Sequence, residues 1–458
     1  MALWDSLAGS TDTDRTAFVA PDLTIRVRDL AAASLLPDAL ESLRGKSVLL
    51  ATHDQIFAAV ALLELDGIAS RIVLCTPDLD TAQLRAVAAT AAVDAILSER
   101  AIDDASVPGA ARHLLNRIPL PASPDRRASL ETEWILLTSG TTGTPKLVVH
   151  SLKSLGGTLP RHSPPGAVWS TFYDIRRYGG LQIYLRAVLG RAPLVLSSPG
   201  EPTSVFLSRA AASGVTHISG TPSHWRRALM SGACRVLRPS YVRLSGEIAD
   251  QAVLDQLHAA YPDAKVAHAF ASTEAGVGFD VEDGRAGFPA SILDRTGNDV
   301  ELKVIDGSLR IRSHRNAVRY LGAAQPLRDA EGFVDTGDLV ELEQGRYYFR
   351  GRRGGIINVG GLKVYPEEVE SVLNADPRVR MSRVRARRNP ITGSLVVAEV
   401  VLAHDAAAPS DPAAAEPIKA ELIDRCRRML AAHKVPTMLR FVASLEVTAA
   451  GKMVRSDA

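Results

Sequence analysis

Residues 134–150, WILLTSGTTGTPKLVVH, change from an apolar run to nine residues of Thr, Ser, Gly, Pro and Lys, and then return to apolar residues. A P-loop needs Gly directly before its Lys, whereas Thr144 and Pro145 precede Lys146 here. We therefore predict a phosphate-binding loop of another kind, with a flexible turn as the alternative. Phosphate oxygens are bound well by hydroxyl groups, by an ammonium group and by glycine backbone that a ligand can approach closely. The residues that offer these groups are Thr138, Ser139, Gly140, Thr141, Thr142, Gly143 and Lys146.

The residue order of this loop resembles that of the adenylate-forming enzymes. This superfamily contains acyl-CoA and aryl-CoA synthetases, luciferases and amino-acid adenylation domains. Four more segments resemble family motifs, in the family's order: AFASTEAG with Phe270 and Glu274, VDTGDLV with Asp338, RGRRGGIINVGGLKVYPEEVE, and VTAAGKMVR with Lys452. The chain is therefore identified as a member of this superfamily, with an AMP-binding, acyl- or aryl-CoA synthetase-like character.

The resemblance implies roles around ATP. Glu274 is a carboxylate suited to Mg²⁺, a hard cation that takes oxygen ligands and neutralises phosphates. Asp338 is expected to accept hydrogen bonds from both ribose hydroxyls, and Arg352 to reach the ribose or a phosphate oxygen. The alternative for Asp338 is a residue that only forms a turn, and the alternative for Arg352 is a solvated arginine. The backbone of Gly246 and Glu247 is expected to pack against adenine, and the alternative for Glu247 is an ordinary surface residue. The resemblance also implies that ATP or AMP is bound by Ala269, Phe270, Ala271, Ser272 and Thr273.

Lys452 lies close to the end of the sequence, where position alone predicts a frayed segment. The resemblance implies the opposite, a catalytic role shared with Thr273 and Glu274. In the first half-reaction a carboxylate attacks the α-phosphorus of ATP, and a positioned ammonium can bridge these two anions. Acyl-AMP and pyrophosphate are the expected products.

In the second half-reaction a thiol attacks the activated carbonyl and AMP leaves. The resemblance implies that a small C-terminal domain rotates between the two steps, with dihedral changes concentrated at a hinge near Arg353 and Gly354. The rotation is expected to bring Gly360 and Gly361 to a tunnel for the pantetheine arm. Gly354 stands where the family usually carries Asp or Lys, so a side-chain contact of the hinge is lost while its dihedral freedom is kept.

The acid pocket is the least readable part of the sequence. Its wall is expected in WSTFYDIRRYGGLQIYLRAVLG, where an aspartate stands near the position of a histidine in aryl- and acyl-CoA ligases. An internal ion pair between Asp174 and an arginine is the alternative to a substrate contact. An α-amino acid substrate is a minority interpretation. The predicted pocket residues are Tyr173, Asp174, Arg176, Tyr178 and Gly179.

Short apolar runs alternate with helical patterns along most of the chain, which is typical of parallel βα units. We predict an α/β protein with a large, multi-subdomain N-terminal α/β body over residues 1–350 and a smaller, mobile C-terminal α+β domain over residues 351–458. In the C-terminal part, we predict a helix starting at Pro366, a strand in LVVAEVVLA, and a helix over residues 418–430. Residues 404–417 are predicted to be a solvated connection.

Composition excludes several classes of protein. The 458 residues carry a formal charge of +2 from 53 basic and 51 acidic residues, which gives no single-sign field for nucleic acid. Glu64, Asp66 and Arg71 interrupt the most apolar early segment, which predicts a buried helix and no membrane span. The N-terminus lacks a secretory pattern, and the three cysteines lack metal-ligand spacing, so a cytoplasmic protein with reduced thiols is expected.

The leading functional hypothesis is an ATP- and Mg²⁺-dependent ligase that joins a small-molecule carboxylic acid to coenzyme A. The nearest alternative passes the acyl group to the phosphopantetheine of an acyl carrier protein. A non-catalytic nucleotide-binding homologue is an alternative of another class, although the charged positions Glu274, Asp338, Arg352 and Lys452 are all present. A homodimer is compatible with the sequence.

Overall fold

The architecture comes from a computed structural model. It describes residues 2–8, 12–102, 107–116, 120–122, 125–138, 145–294, 299–323, 325–389, 393–403, 412–448 and 451–454. The helices are α1 (Leu3–Ala8), α2 (Val27–Ala32), α3 (Gln55–Leu65), α4 (Thr81–Thr90), α5 (Leu152–Gly156), α6 (Tyr178–Leu189), α7 (Thr203–Ala212), α8 (Pro222–Met230), α9 (Gln251–Ala260), α10 (Pro366–Asn374) and α11 (Pro412–Met429).

The strands vary from two to eleven residues in length. They are β1 (Thr16–Val19), β2 (Thr24–Arg26), β3 (Ala33–Ser34), β4 (Ser47–Leu50), β5 (Arg71–Leu74), β6 (Ala95–Ser98), β7 (Ala111–Leu114), β8 (Leu120–Pro121), β9 (Glu133–Thr138), β10 (Lys146–Ser151), β11 (Trp169–Thr171), β12 (Leu194–Val195), β13 (His217–Gly220), β14 (Tyr241–Ser245), β15 (Lys265–Ser272), β16 (Gly276–Val281), β17 (Phe288–Pro289), β18 (Val300–Ile305), β19 (Ser308–Ser313), β20 (Arg319–Leu321), β21 (Val334–Glu343), β22 (Arg346–Arg352), β23 (Ile357–Val359), β24 (Leu362–Val364), β25 (Val379–Asn389), β26 (Gly393–Leu402) and β27 (Met438–Phe441).

Two large sheets form the N-terminal body. Their orders, within the described ranges, are β16-β15-β14-β13-β11-β12-β1-β2 and β20-β10-β9-β5-β4-β6-β7. The parallel pairs β4–β5, β4–β6, β13–β14 and β14–β15 confirm the predicted βα units. Antiparallel strands border both sheets, and a third, antiparallel sheet has the order β17-β22-β21-β19-β18. The predicted α/β fold class is confirmed.

Residues 353–454 form a smaller unit. The long β25–β26 hairpin pairs antiparallel, β27 adds in parallel to β26, and α10 and α11 contribute to the same apolar core. Helix α10 starts at Pro366 as predicted. Strand β22 continues past the predicted domain boundary to Arg352, so the last strand of the antiparallel sheet leads directly into the C-terminal unit.

The prediction for residues 404–417 is wrong over its last part. Helix α11 begins at Pro412 and includes Pro417. The sequence PAAAEP contains three alanines, which have the highest intrinsic helix propensity, and their preference outweighs the single backbone hydrogen bond that a proline near a helix start removes. Residues 404–411 lie outside the described part of the chain.

Helix α3 is buried along its whole length and is followed by β5, as predicted. The Glu64 carboxylate near its end pairs with Arg126 at 2.8 Å, with both side chains almost fully buried. Asp66 accepts hydrogen bonds from the Leu3 amide and the Trp134 indole. In the described residues, no helix combines the length and apolar character that crossing a bilayer requires.

The three cysteines are buried without disulfide bonds. Cys75, Cys234 and Cys426 each belong to a hydrophobic cluster, so they serve as small apolar core residues.

The Glu64–Arg126 pair gives a stability prediction. Arg126→Leu leaves a buried carboxylate without its cation, so we expect the free energy of unfolding to fall by about 3–5 kcal/mol in chemical denaturation. The Glu64→Leu/Arg126→Leu double variant should lose less, because it buries no unpaired charge. Arg127→Leu is the matched control, since that side chain is 89% exposed. Equal losses in the single and double variants would contradict the role of the pair.

Candidate active site

The predicted phosphate loop joins two antiparallel strands. Lys146 pairs with Thr138 in the β9–β10 ladder, so the intervening segment connects a hairpin at one side of the seven-stranded sheet. The expected strand before the loop is present. The predicted phosphate-binding residues Ser139, Gly140, Thr141, Thr142 and Gly143 lie outside the described part of the chain. The exposed Lys146 ammonium stands 5.5 Å from the centroid of the Tyr320 ring.

Thr273 and Glu274 lie in the turn between β15 and β16. The backbone carbonyl of Glu274 accepts a hydrogen bond from the Ala317 amide, and its Oε1 accepts one from the Tyr320 hydroxyl at 3.3 Å. Tyr320 therefore lies between the predicted phosphate lysine, Lys146, and the predicted metal ligand. Sequence reasoning missed Tyr320, because a single aromatic residue in β20 has no recognisable spacing to either group.

His150 supports the same turn from below. Its Nε2 donates to the Thr273 carbonyl at 2.8 Å, and its Nδ1 lies 3.0 Å from the Ser154 hydroxyl. The imidazole is fully buried, and burial lowers its pKa to about 4. A neutral histidine thus holds the backbone that carries Glu274. The sequence offered no signal for this role beyond a histidine at the end of an apolar strand.

Asp338 and Arg352 face each other across the β21–β22 ladder. The Arg352 Nε donates to the Asp338 carboxylate at 3.1 Å, and Arg352 also donates to the Thr336 carbonyl at 3.4 Å. Burial raises the pKa of Asp338, while Arg352 acts in the opposite direction. The strand register therefore brings together the two residues that were predicted to bind the ribose and phosphate.

Lys452 lies in this cleft. Its Cε is 3.4 Å from the position of a Cβ built on Gly246. Burial lowers the pKa of Lys452 and Arg352 lowers it further, whereas Glu247, Asp338 and Glu274 act in the opposite direction. The Lys452 side chain remains exposed to water, while the backbone of its neighbours Gly451 and Met453 is hydrogen-bonded to Thr221 and Glu247. Four predicted charged residues therefore share one site: Glu274, Asp338, Arg352 and Lys452.

The two segments predicted to bind AMP lie at the ends of adjacent strands. Ala269, Phe270, Ala271 and Ser272 end β15, which pairs with β14 directly before Gly246. The Phe270 ring stacks on Phe349 with centroids 5.4 Å apart and an interplanar angle of 8°. Glu247 makes different contacts, because its two carboxylate oxygens accept hydrogen bonds from the backbone amides of Ser223 and Met453.

The residues predicted to line the carboxylic-acid pocket fall into two groups, of which the first is aromatic. Tyr173 is buried, its hydroxyl donates to the Ser245 carbonyl at 2.6 Å, and its ring lies 3.4 Å from the Cβ position of Gly179. Tyr178 begins α6 and its ring centroid lies 5.7 Å from that of His150. Tyr173 stands close to Gly246, whose Cβ position is 3.9 Å from the Tyr173 hydroxyl.

Asp174 and Arg176 form the internal ion pair that was the alternative in the sequence analysis. The Arg176 side chain is 0% exposed, donates through Nε to Asp174 at 2.8 Å, and also donates to the backbone carbonyls of Thr52 and His53. Because these groups satisfy each other inside the wall, we withdraw their assignment as substrate contacts. The pair fixes the segment that carries Tyr173.

The predicted hinge and tunnel residues lie outside the cleft. Arg353 approaches Asp335 at 3.4 Å, and Gly354 lies in a short 3₁₀ turn, Arg353–Gly355. Gly360 and Gly361 have φ angles of +58° and +85° and form the two-residue turn between β23 and β24. Two consecutive positive φ angles suit a type I′ hairpin and require glycine-like freedom.

Two family descriptions match the chain, "AMP-binding enzyme" over residues 26–321 and "AMP-binding enzyme C-terminal domain" over residues 368–452. The chain belongs to the AMP-binding enzyme family. The resemblance to adenylate-forming enzymes is confirmed, and the match begins well before the phosphate loop.

Relatives of this AMP-binding enzyme include CoA ligases. It is 26% identical over 368 residues to the mitochondrial acyl-coenzyme A synthetase ACSM4 of Rattus norvegicus, covering 72% of this chain and 60% of the relative. It is 28% identical over 357 residues to 2-succinylbenzoate–CoA ligase of Geobacillus kaustophilus (strain HTA426), covering 71% and 69%. The chain thus spans about 60% of the length of the acyl-coenzyme A synthetases that it matches.

Solved structures share the fold. A benzoate CoA ligase from Burkholderia xenovorans LB400 superposes with a TM-score of 0.83 at 20% identity, covering 99% of this chain and 98% of that one. The anthranilate CoA ligase AuaEII in complex with anthranoyl-AMP gives a TM-score of 0.79 at 19% identity, covering 99% and 95%.

His150 gives a prediction for acid stability. An unfolded histidine titrates near pH 6.5, whereas the pKa of His150 in the folded protein is about 4. The unfolded state binds more protons between these values, so the free energy of unfolding falls as the pH drops through this window. His150→Gln should flatten that decline by up to about 3 kcal/mol, as measured by denaturant titrations at pH 6.5, 5 and 4. An unchanged slope would contradict the buried, neutral histidine.

Proposed function

We propose that the protein is an ATP-dependent acid–thiol ligase that activates a carboxylic acid as acyl-AMP, releases pyrophosphate and transfers the acyl group to coenzyme A. One observation carries the proposal. Lys452, from the end of the chain, lies in the same cleft as Asp338, Arg352 and Glu274. A nucleotide-binding protein without catalysis has no need to bring a distant ammonium group to this position.

In the proposed first step, an oxygen of the acid forms a bond to the α-phosphorus, and the bond to the pyrophosphate oxygen breaks. Lys452 can attract both the carboxylate and the α-phosphate as charge develops between them. We assign the ribose to Asp338 and a ribose or phosphate oxygen to Arg352. Lys146 and the loop before it are assigned to the β- and γ-phosphates.

The residues present fit a magnesium ion. Glu274 offers a carboxylate at the turn that faces Lys452 and Arg352, and Mg²⁺ is usually held by one or two carboxylates together with substrate phosphates. When bound, the ion would neutralise phosphate charge. His150 and Tyr320 orient the glutamate from the protein side, through the Thr273 carbonyl and the Glu274 Oε1.

In the proposed second step, the thiol sulfur bonds to the acyl carbon, and the bond from this carbon to AMP breaks. Lys452 has no role in this step, and its side chain occupies the cleft. We propose that the unit after Arg352 rotates as a domain, with Arg353 and Gly354 as the hinge and the Gly360–Gly361 turn moving toward a pantetheine tunnel. The direct continuation of β22 into Arg353 supports a hinge next to Asp338 and Arg352.

The first prediction from this proposal separates the two half-reactions. Lys452→Ala should abolish acid-dependent ATP–pyrophosphate exchange and still allow a supplied acyl-adenylate to react with CoA. Lys153→Ala is the matched control, because this exposed lysine lies on α5. Equal loss of both steps in Lys452→Ala would refute the role assigned to the lysine.

The second prediction concerns the acid. Tyr173 stands beside Gly246 and thus close to Lys452, so it should limit the size of acid that reaches the reaction centre. Pyrophosphate release should be screened over aryl, short-chain, medium-chain and amino acids, with CoA supplied, omitted or replaced by a phosphopantetheinylated carrier protein. Tyr173→Ala should accept bulkier acids, whereas Tyr173→Phe, which keeps the ring, should retain the wild-type range. If all three proteins accept the same range of acids, Tyr173 does not limit the size of the acid.

A further inference from the structure

Hydrogen bonds link Thr448 to Gly451 and Lys452, which are described residues around the lysine. The Thr448 amide donates to the Lys452 carbonyl at 2.7 Å, the Gly451 amide donates to the Thr448 carbonyl at 2.8 Å, and the Lys452 amide donates to the Thr448 hydroxyl at 3.2 Å. Gly451 has a φ angle of +69°, which favours glycine. Lys452 is therefore carried on an internally hydrogen-bonded element.

The N-terminal body holds the backbone on both sides of Lys452. The Thr221 hydroxyl donates to the Gly451 carbonyl at 2.7 Å, and the Met453 amide donates to Glu247 Oε1 at 2.8 Å. The second Glu247 oxygen accepts from the Ser223 amide at 2.9 Å, which fixes the carboxylate. A hydroxyl and a carboxylate thus bind the residues directly before and after the lysine.

His224 adds a steric constraint. A Cβ on Gly451 would lie 1.7 Å from the His224 ring, so only a glycine can occupy this place. The imidazole is itself fixed, because it stacks on Phe172 with centroids 5.4 Å apart and meets the edge of Tyr173 at 5.7 Å. Gly451 therefore docks against a preformed aromatic surface.

We infer that Thr221, His224 and Glu247 form a latch, here called the tail latch, that holds the C-terminal unit in the arrangement required for adenylate formation. The inference rests on the proposed function and gives Glu247 a positioning role in place of the predicted adenine contact. Each contact spans the two units, so rotation of the C-terminal unit must break both hydrogen bonds. Two hydrogen bonds fix the lysine and can still be exchanged for water at modest cost.

The latch can be tested with variants of Thr221 and Glu247. Thr221→Val removes the hydroxyl, Thr221→Ser keeps it, and Glu247→Gln removes the charge. We expect Thr221→Val and Glu247→Gln to lower kcat for ATP–pyrophosphate exchange by about tenfold or more, with the KM for ATP and the reaction of supplied acyl-adenylate with CoA unchanged. Thr221→Ser should retain activity, and Glu446→Gln is the control in an exposed tail residue.

A second readout needs no catalysis. In the wild-type protein, the Met453 amide should exchange its hydrogen slowly and trypsin should cleave slowly after Lys452, whereas both protections should fall in Thr221→Val and Glu247→Gln. Unchanged protection and exchange activity in these variants would overturn the latch. A raised KM for ATP in Glu247→Gln with intact protection would return this residue to an adenine role. Wild-type protein that exchanges no pyrophosphate with any acid, yet shows the protection differences, would refute the proposed function alone.

The steric part has its own test. Gly451→Ala should prevent docking and lower ATP–pyrophosphate exchange, while the reaction of supplied acyl-adenylate with CoA is retained. His224→Ala removes the imidazole and makes room for the methyl group that Gly451→Ala introduces. The Gly451→Ala/His224→Ala double variant should therefore recover part of the ATP–pyrophosphate exchange that Gly451→Ala loses. The absence of any recovery, together with normal tail protection in Gly451→Ala, would contradict the contact between His224 and Gly451.

Discussion

The ion pair between Asp338 and Arg352 ties the two units of this chain to one site. It is a cross-strand pair of the β21–β22 ladder, so its geometry is set by backbone register and needs no mobile loop. The same strand ends at Arg352 and the C-terminal unit starts at the next residue. The Asp338–Arg352 pair and the proposed hinge therefore share a backbone segment, which links the position of the C-terminal unit to the end of the cleft where we propose that the ribose binds.

Charge balance explains why this cleft can hold a lysine. Arg352 repels the Lys452 ammonium and lowers its pKa, whereas Glu247, Asp338 and Glu274 attract it and stabilise its charged form. The arrangement brings anionic and cationic groups together, and the two cations remain exposed to water. The carboxylates therefore balance the two positive charges without removing them from solvent.

Local sequence predicted the features that depend on local chemistry. Alternating apolar runs predicted the parallel strands around β4 and β14, and Pro366 predicted the start of α10. The antiparallel sheet of β17, β18, β19, β21 and β22 was not predicted, since short strands leave periodicity ambiguous. Motif order identified the charged residues of the cleft, because their types and sequence spacing are characteristic. Their supports were missed for a physical reason. His150 meets Thr273, and Thr221 meets Gly451, only after folding, and nothing in the local sequence marks His150 or Thr221 for these contacts.

The same limit applies to Asp174 and Arg176. Two charged residues near a predicted pocket suggested a substrate contact, but their pairing with each other and with the backbone of Thr52 and His53 depends on packing against a distant strand end. Buried charges need partners, and here the fold supplies them internally.

The tail latch grips main-chain atoms, the Gly451 carbonyl and the Met453 amide. Main-chain contacts place different demands on neighbouring positions during evolution. Position 453 must keep a backbone amide, which excludes proline, and its side chain also packs against the apolar cluster of Met381, Val401 and Leu445. Position 451 is confined to glycine by both its φ angle and the imidazole beside it. Any lineage that replaced His224 with a smaller residue would relax only the second of these constraints.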